Sequence, residues 1–255
     1  MVRLSVNVNK VATLRNARGG LEPRVIEAVE TCVAAGAPGI TVHPRADRRH
    51  ITPGDVREIA RALDGRRPHV EYNIEGNPRP ELINLVHEVR PDQCTLVPVL
   101  PGEITSQAGW QPGPDTDRLG DVVRGLRSRG VRVSLFVDAM PDRVSWAASI
   151  GADRVELYTE PYARAFESAR TPDSDLARRT FDRYCDAARL AHSLGLGVNA
   201  GHDLDLQNLV LFRELPHLDE VSIGHALVSR ALFVGLKTVV AEYLQLLGAA
   251  RRTVA

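Results

Sequence analysis

Short runs of β-branched and apolar residues alternate with longer segments whose apolar positions recur every three to four residues, and the alternation repeats eight times. The runs lie at 4–9, 39–44, 69–75, 93–98, 132–138, 154–160, 197–202 and 220–226 and are rich in Val, Leu and Ile, as parallel strands covered on both faces should be. Between them, amphipathic spacing predicts helices at 23–35, 53–63, 80–89, 116–128, 142–150, 174–194, 206–214 and 238–247. Thr52 before Pro53 supplies an N-cap hydroxyl and a first-turn proline, and Gly36, Gly130 and Gly195 fall just past helix ends, where a left-handed residue is wanted. The segments 98–115, rich in Pro and Gly, and 161–173 read as long loops, the first as a candidate lid.

Eight strand–helix units in 255 residues have the size and period of a (β/α)8 TIM barrel, an α/β fold. A doubly wound open sheet is the rival, but it has fewer strands and a glycine-rich nucleotide loop after the first strand. Here strand one runs into NVNKVATLRNARGG with no GxGxxG. The expectation is a single barrel domain over 1–255, with an extra short helix after strand eight in IGHALVSRALFVG.

Composition adds exclusions. Hydrophobic residues make up 44% and charged residues 25%, and Lys+Arg balance Asp+Glu at 32 each, so no basic block points to nucleic acid. Only Lys10 and Lys237 are lysines, and the remaining basic charge is guanidinium. Cys32, Cys94 and Cys185 are odd in number and far apart, which fits a reducing cytoplasm better than a disulfide framework. The N-terminus lacks a signal pattern, and no run approaches the roughly 18 apolar residues of a membrane helix. A cytoplasmic location is expected.

In such a barrel the reactive groups sit at the C-terminal strand ends. The polar residues there are Asn7 and Asn9, His43, Glu71 with Asn73 and Glu75, Asp138, Glu156, His202, and the pair Gly224-His225. Singly, each could be a cap or a packing residue. Together, histidines that titrate near neutrality and carboxylates that crowding can tune supply what acid–base chemistry needs. Anion-binding equipment accompanies them. His43 is followed by Arg45, Arg48, Arg49 and His50, the segment after strand one carries Arg15 and Arg18, and the helix after strand eight offers N–H groups at its start. Arg48 and Arg49 are expected to pair with Asp47 or neighbouring acids, leaving Arg18 and Arg45 for a ligand. An HxH on strand one and an HExxH are missing, and Lys10, the one Schiff-base candidate in a strand region, lies just past a strand end, where contact with a phosphate or carbonyl is expected instead.

The segments NVNKVATLRNARGG, TVHPRADRRHIT, VNAGH and SIGHALVSRA, in this order and spacing, resemble the pyridoxine 5'-phosphate synthase family over essentially the whole chain. The resemblance implies a transferase of vitamin B6 biosynthesis. Such an enzyme condenses 1-deoxy-D-xylulose 5-phosphate with 3-amino-2-oxopropyl phosphate to pyridoxine 5'-phosphate, phosphate and water, without a metal or organic cofactor. It implies catalytic roles for His43, Glu71 and His202, with Glu156 supporting the transition state. It assigns sugar-phosphate contacts to Asn9, Lys10, Arg45, His50 and Thr105, and aminoketone-phosphate contacts to Asn7, Arg18, Gly224 and His225. Asn9-Lys10 stand where many members carry Asp-His, which replaces a titratable ring by a fixed cation. The remaining alternatives are a metal-dependent sugar-phosphate isomerase or epimerase using Glu71, Glu156 and His202, and a barrel that binds sugar phosphates without catalysis.

The segment 228–247 is apolar on more than one face, through Leu232, Phe233, Val234, Leu236, Val239, Val240, Leu244 and Leu247. The ordinary wall of a closed barrel and a subunit contact both account for it. The resemblance favours a homo-oligomer, an octamer in known relatives.

Overall fold

The computed structural model describes residues 1–67, 69–98, 108–169 and 174–249. Eight parallel strands close into a barrel in sequence order, β1 (Arg3–Asn7), β2 (Gly39–Val42), β3 (Glu71–Gly76), β4 (Gln93–Leu96), β5 (Arg132–Val137), β6 (Arg154–Tyr158), β7 (Gly197–Gly201) and β8 (Leu218–Ile223), with β8 pairing back to β1. Helices α1 (Asn9–Arg18), α2 (Val25–Ala34), α3 (Pro53–Leu63), α4 (Pro80–Val89), α5 (Thr116–Arg127), α6 (Pro141–Ser149), α7 (Glu160–Ala169), α8 (Asp175–Ser193), α9 (Leu209–Phe212), α10 (His225–Val234) and α11 (Leu236–Gly248) surround it.

The strands alternate strictly. Leu4, Val6, Ile40, Val42, Tyr72, Ile74, Val133, Leu135, Val155 and Leu157 are fully buried and point outward against the helices. Burying each such side chain contributes roughly 1.5–3 kcal/mol. Most of the intervening residues face the barrel axis and are polar, with Phe136 on β5 an apolar exception at the cavity, whereas bulky branched side chains are the usual filling there. Ser5 bonds Thr41 at 2.6 Å, Thr95 donates to Asn73 at 3.1 Å, and Asn199 reaches across from β7 to Gln93 on β4 at 3.4 Å. The expectation of strands apolar on both faces is therefore met only on the outer one.

Two segments read as irregular are helical. Tyr162, Ala163, Ala165 and Phe166 form an apolar stripe that buries α7 against the barrel wall, where a loop was expected over 161–173. The stretch after strand one forms α1, with Val11 and Ala12 buried. The helix expected at 206–214 contracts to α9, because Asn208 and Asp205 spend their side chains on a tight turn instead. Helices α3 and α4 have the expected bounds, and at α3 Thr52 and Asp55 form a reciprocal capping box. The short helix after strand eight is present as α10. Among the described residues no helix is long and apolar enough to cross a membrane.

Candidate active site

At the C-terminal end of the barrel a cavity of about 1150 Å³ is lined by Asn7, Asn9, Lys10, His43, Arg45 and His50 together with His202, Gly224 and His225. Glu75 and Glu156 line it from β3 and β6, and Val97 and Phe136 add apolar surface. Ten residues proposed from the sequence thus meet around one space, although they come from both ends of the chain.

Three of the proposed residues fall elsewhere or outside the description. Glu71 opens β3 at the opposite, N-terminal mouth, where Arg3 and Arg132 bind its carboxylate at 2.8 and 2.5 Å. Burial alone would raise its pKa, but the guanidinium groups of Arg132, Arg3 and Arg154 outweigh that and hold the carboxyl below its ordinary range. The strand-three acid at the cavity is Glu75, four residues and roughly 13 Å further along the strand. Positions 71, 73 and 75 share one face, so alternation alone does not separate the two glutamates; strand direction does. Arg18 is exposed at the last residue of α1 and does not line the cavity. Thr105 and much of the expected lid lie outside the described residues. With Glu71 at the far mouth, the metal set Glu71, Glu156 and His202 does not assemble.

The β1 and β2 ends are held by short polar links. Asn7 Oδ1 accepts from the Asn9 amide at 3.0 Å, Asn9 Oδ1 accepts from the His43 amide at 2.9 Å, and the Asn7 amide group lies 3.4 Å from Glu75 Oε2. Helix α1 clamps the following segment, because Asn16 donates to the His50 carbonyl at 2.8 Å and Arg15 binds the capping Asp55 at 2.5 and 3.0 Å. Arg49 pairs with Asp47 at 2.5 Å as expected, yet it also reaches the cavity rim. Burial, then the charges of His50, Arg45 and Arg79, hold the His43 imidazole well below its usual pKa, so it is neutral at pH 7. His50 is held down to about 4 by burial, with Arg45 and Lys10 adding to it, and its buried Nδ1 has no hydrogen-bond partner among the described residues.

The carboxylates behave in the opposite sense. Burial pushes Glu75 up to about 8, and the neighbouring Glu220 charge adds to this against a Ser222 hydrogen bond. Glu156 is pushed far above the ordinary carboxylate range by burial and then by Glu75 and Glu220. Gly201 makes room for it, since a Cβ there would stand 2.5 Å from Glu156 Oε1. Gly224 has a similar role beside Asn7, with a Cβ 3.1 Å from the Asn7 Cβ. The site therefore combines neutral imidazoles, protonated carboxyl groups and a cationic rim, an arrangement suited to moving protons on an anionic substrate.

The chain matches the family described as "Pyridoxal phosphate biosynthesis protein PdxJ" over residues 4–249. It belongs to that family. It is 51% identical over 244 residues to a protein named pyridoxine 5'-phosphate synthase from Porphyromonas gingivalis, covering 95% of this chain and 98% of the relative. A protein of the same name from Bacteroides thetaiotaomicron is 50% identical, with the same coverage of 95% and 98%. Among solved structures, the YdjI aldolase from Escherichia coli K12 superposes with a TM-score of 0.61 at 11% identity, covering 97% of this chain and 91% of that one. A phosphoribosylanthranilate isomerase from Thermotoga maritima gives 0.55 at 15% identity over 97% and 98%. At these identities the likeness is one of fold.

Several residues of this family member that line the cavity or act on its carboxyl groups were not singled out from the sequence. Glu220, one layer below Glu75, is pushed up to about 7 by burial and by Glu71, while Arg154, Arg3 and Arg132 pull it back. Asp203 follows the strand-seven histidine directly, and Glu160 and Arg164 on α7 line the rim. Adjacency to His202 is the signal that could have found Asp203. Nothing local marks Arg164, because its helix was read as a loop.

Proposed function

We propose that this chain is a pyridoxine 5'-phosphate synthase, an enzyme that joins 1-deoxy-D-xylulose 5-phosphate and 3-amino-2-oxopropyl phosphate by proton transfer alone. The observation that carries the reading is the convergence of His43, Glu75, Glu156 and His202 on one cavity, in a chain of this family. The sugar phosphate belongs with Arg45, His50 and Lys10, whose cationic and donor groups line a cavity of about 1150 Å³. The aminoketone phosphate belongs beside Asn7 at the start of α10, where Gly224, His225 and Ala226 line the wall and the first turn of a helix favours an anion.

Attack of the amine on the sugar ketone gives a carbinolamine, and its hydroxyl leaves as water once it is protonated. A carboxyl that still holds its proton near neutrality, as Glu75 does, can donate there, and the neutral His43 can accept the amine proton. Phosphate loss follows removal of a proton from carbon. Ring closure then joins the carbon nucleophile to the remaining carbonyl, with His202 passing the protons and Glu156 stabilising charge. Glu75 takes the part that the family resemblance implied for Glu71. Lys10 is a fixed cation beside His50 and serves phosphate binding, not proton transfer.

The chain is further read as one catalytic barrel domain over 1–255, cytoplasmic and homo-oligomeric. Leu232, Phe233 and Val234 at the end of α10 are 68%, 88% and 40% exposed, whereas Val239, Val240 and Leu247 are buried within the fold. A contiguous exposed apolar stretch of this kind suits a subunit contact. The decisive experiment mixes the two phosphorylated substrates with purified protein and follows pyridoxine 5'-phosphate by absorbance and inorganic phosphate by colorimetry. Stoichiometric appearance of both supports the reading. Binding of both substrates with release of neither product refutes it in favour of a non-catalytic barrel.

A further inference from the structure

The loop after β7 is built around two consecutive residues in the left-handed region, His202 at φ 87° and Asp203 at φ 55°. Non-glycine residues held this way cost on the order of 1–3 kcal/mol each and persist only where the surroundings fix them. Here they do. The buried Thr159 hydroxyl bonds the carbonyl oxygens of Gly201, at 2.6 Å, and His202. Asn208 donates to the Asp203 carbonyl at 2.9 Å and accepts from the Asp205 amide at 2.9 Å, while its own carbonyl accepts from the Tyr162 hydroxyl at 2.7 Å. The result of this bracing is one side-chain contact. Asp203 Oδ2 lies 3.0 Å from His202 Nδ1.

We propose that Asp203 is a positioning residue, which locks His202 in the Nδ1–H tautomer and leaves Nε2 as the atom that exchanges protons with substrate in the cavity. The proposal rests on the reading of the preceding subsection for what His202 does. A carboxylate has no hydrogen to give, so a bond to it requires the proton on Nδ1 and the lone pair on Nε2. Imidazole free in water favours the other tautomer, with the proton on Nε2. The contact therefore reverses the intrinsic preference.

The rest of the surroundings limits ring motion. Tyr158 meets the His202 ring edge-on, with centroids 5.1 Å apart and planes at 78°, and its hydroxyl donates to Glu160 at 2.5 Å, which pairs in turn with Arg164. The charged and titratable groups around the ring are thus Asp203, Tyr158, Glu160, Arg164 and, from β8's end, His225. The His202 hydrogen bond holds the Asp203 carboxyl below its ordinary range against desolvation, with the charges of His202, His225 and Arg164 acting the same way, so Asp203 is an anion when the ring needs an acceptor. When Nε2 takes a proton from a substrate O–H or C–H bond, the electron pair stays on substrate. The ring becomes an imidazolium whose charge Asp203 offsets, and the same Nε2 proton returns to the leaving or forming oxygen.

The test compares Asp203→Ala with Asp203→Asn, whose side-chain oxygen can still accept from Nδ1. Histidine-labelled protein is studied by magic-angle-spinning ¹⁵N NMR, with His202→Asn identifying the His202 resonances. Wild type is expected to show Nδ1–H, and Asp203→Ala to move the ring mainly to Nε2–H. In steady-state kinetics, Asp203→Ala is expected to lower kcat by roughly tenfold to a hundredfold, the lower part of the range for orienting carboxylates because Asp203 is half exposed, with KM for both substrates little changed. Asp203→Asn should recover a substantial part of the loss. A wild-type ring with its proton on Nε2 overturns the proposal whatever the activity. So does full kcat in Asp203→Ala, or a rise in KM alone, which would make Asp203 a substrate contact. If wild type makes no pyridoxine 5'-phosphate at all, the proposed function fails, and the tautomer measurement still decides whether Asp203 sets the ring.

Discussion

Replacing Glu75 by Gln should weaken catalysis and strengthen the fold, and the size of the second effect follows from where the carboxyl sits. It is buried at 9% exposure beside Glu156 and Glu220, with no basic side chain bonded to it among the described residues. Burial and the Glu220 charge push it from 4.5 up to about 8. At ~1.36 kcal/mol per pH unit, ionisation of a group so placed costs the folded state roughly 3 kcal/mol at pH 7. The sign follows from proton counts. Below pH 4.5 both states hold the proton and nothing is lost. As pH rises through 4.5 toward 8 the unfolded chain releases it while the folded chain keeps it, so stability falls across that window and levels off above it. Glutamine has no proton to release. The stability gap between Glu75→Gln and wild type should therefore widen by about 3 kcal/mol from pH 5 to pH 8, or roughly 6–12 °C in melting temperature for a chain of this size. Removing the Glu75 charge also eases ionisation of Glu156 in the variant, which flattens the variant's own pH dependence and widens the gap further. Thermal melts of both proteins at the two pH values measure the gap, and turnover at saturating substrates should drop by at least about a hundredfold. A gap that stays constant or narrows would mean that Glu75 is ionised throughout. Near-normal turnover would remove it from the chemistry.

Glu71→Gln is the counterpart at the other mouth: turnover should remain within about twofold of wild type, while loss of the Arg3 and Arg132 pairs costs about 1–3 kcal/mol at pH 7. Because the Glu71 carboxyl is held below its ordinary range, that contribution is present at neutral pH and disappears as pH falls below 4.5, so denaturation curves of the two proteins should converge in acid. A large fall in turnover would restore Glu71 to the reaction. Gly201→Ala places a methyl 2.5 Å from Glu156 Oε1 and 3.3 Å from the Ser222 carbonyl, so it should cost about 1–3 kcal/mol in a urea melt and depress kcat by displacing Glu156. Wild-type stability with wild-type kcat would show that the carboxyl has room to move. Replacing Leu232 and Phe233 together by Ser should lower the mass measured by light scattering, since both are more than half exposed in the single chain. An unchanged mass would place the subunit contact elsewhere.

The barrel was legible because its signals are local and repeated. Each strand alternates, and most helices carry an apolar stripe and a start or stop residue, as in Thr52-Pro53 and Gly195. What was not legible depends on geometry the pattern does not encode. Helix α7 follows β6 within two residues, so its start merges with the strand end in the sequence. Glu71 and Glu75 are equivalent by parity, and family spacing did not discriminate between them; the ladder does, since Glu71 pairs with Gly39 at the start of β2 and Glu75 with Thr95, one residue before the end of β4. Charge and the family resemblance both point to Arg18 as a phosphate contact, but the turn of α1 brings Arg15 inward to Asp55 and leaves Arg18 exposed.

The inward faces of the strands explain why the two glutamates of β3 differ so widely in chemistry. Arg3, Arg132 and Arg154 gather at the N-terminal mouth, and their influence reaches Glu71 and Glu220. Glu75 and Glu156 are a layer further on, with no guanidinium bonded to them among the described residues, and the Glu75 charge raises the cost of ionising Glu156, as the Glu220 charge does for both. Charge is thus ordered along the barrel axis, from compensated ion pairs at one end to proton-holding carboxyl groups at the other. Filling that interior with Val or Leu would preserve a barrel, because the outward faces carry the helix packing. It would remove the coupling among Glu75, Glu156 and Glu220 that keeps protons available at neutral pH, and with it the acids that the condensation requires.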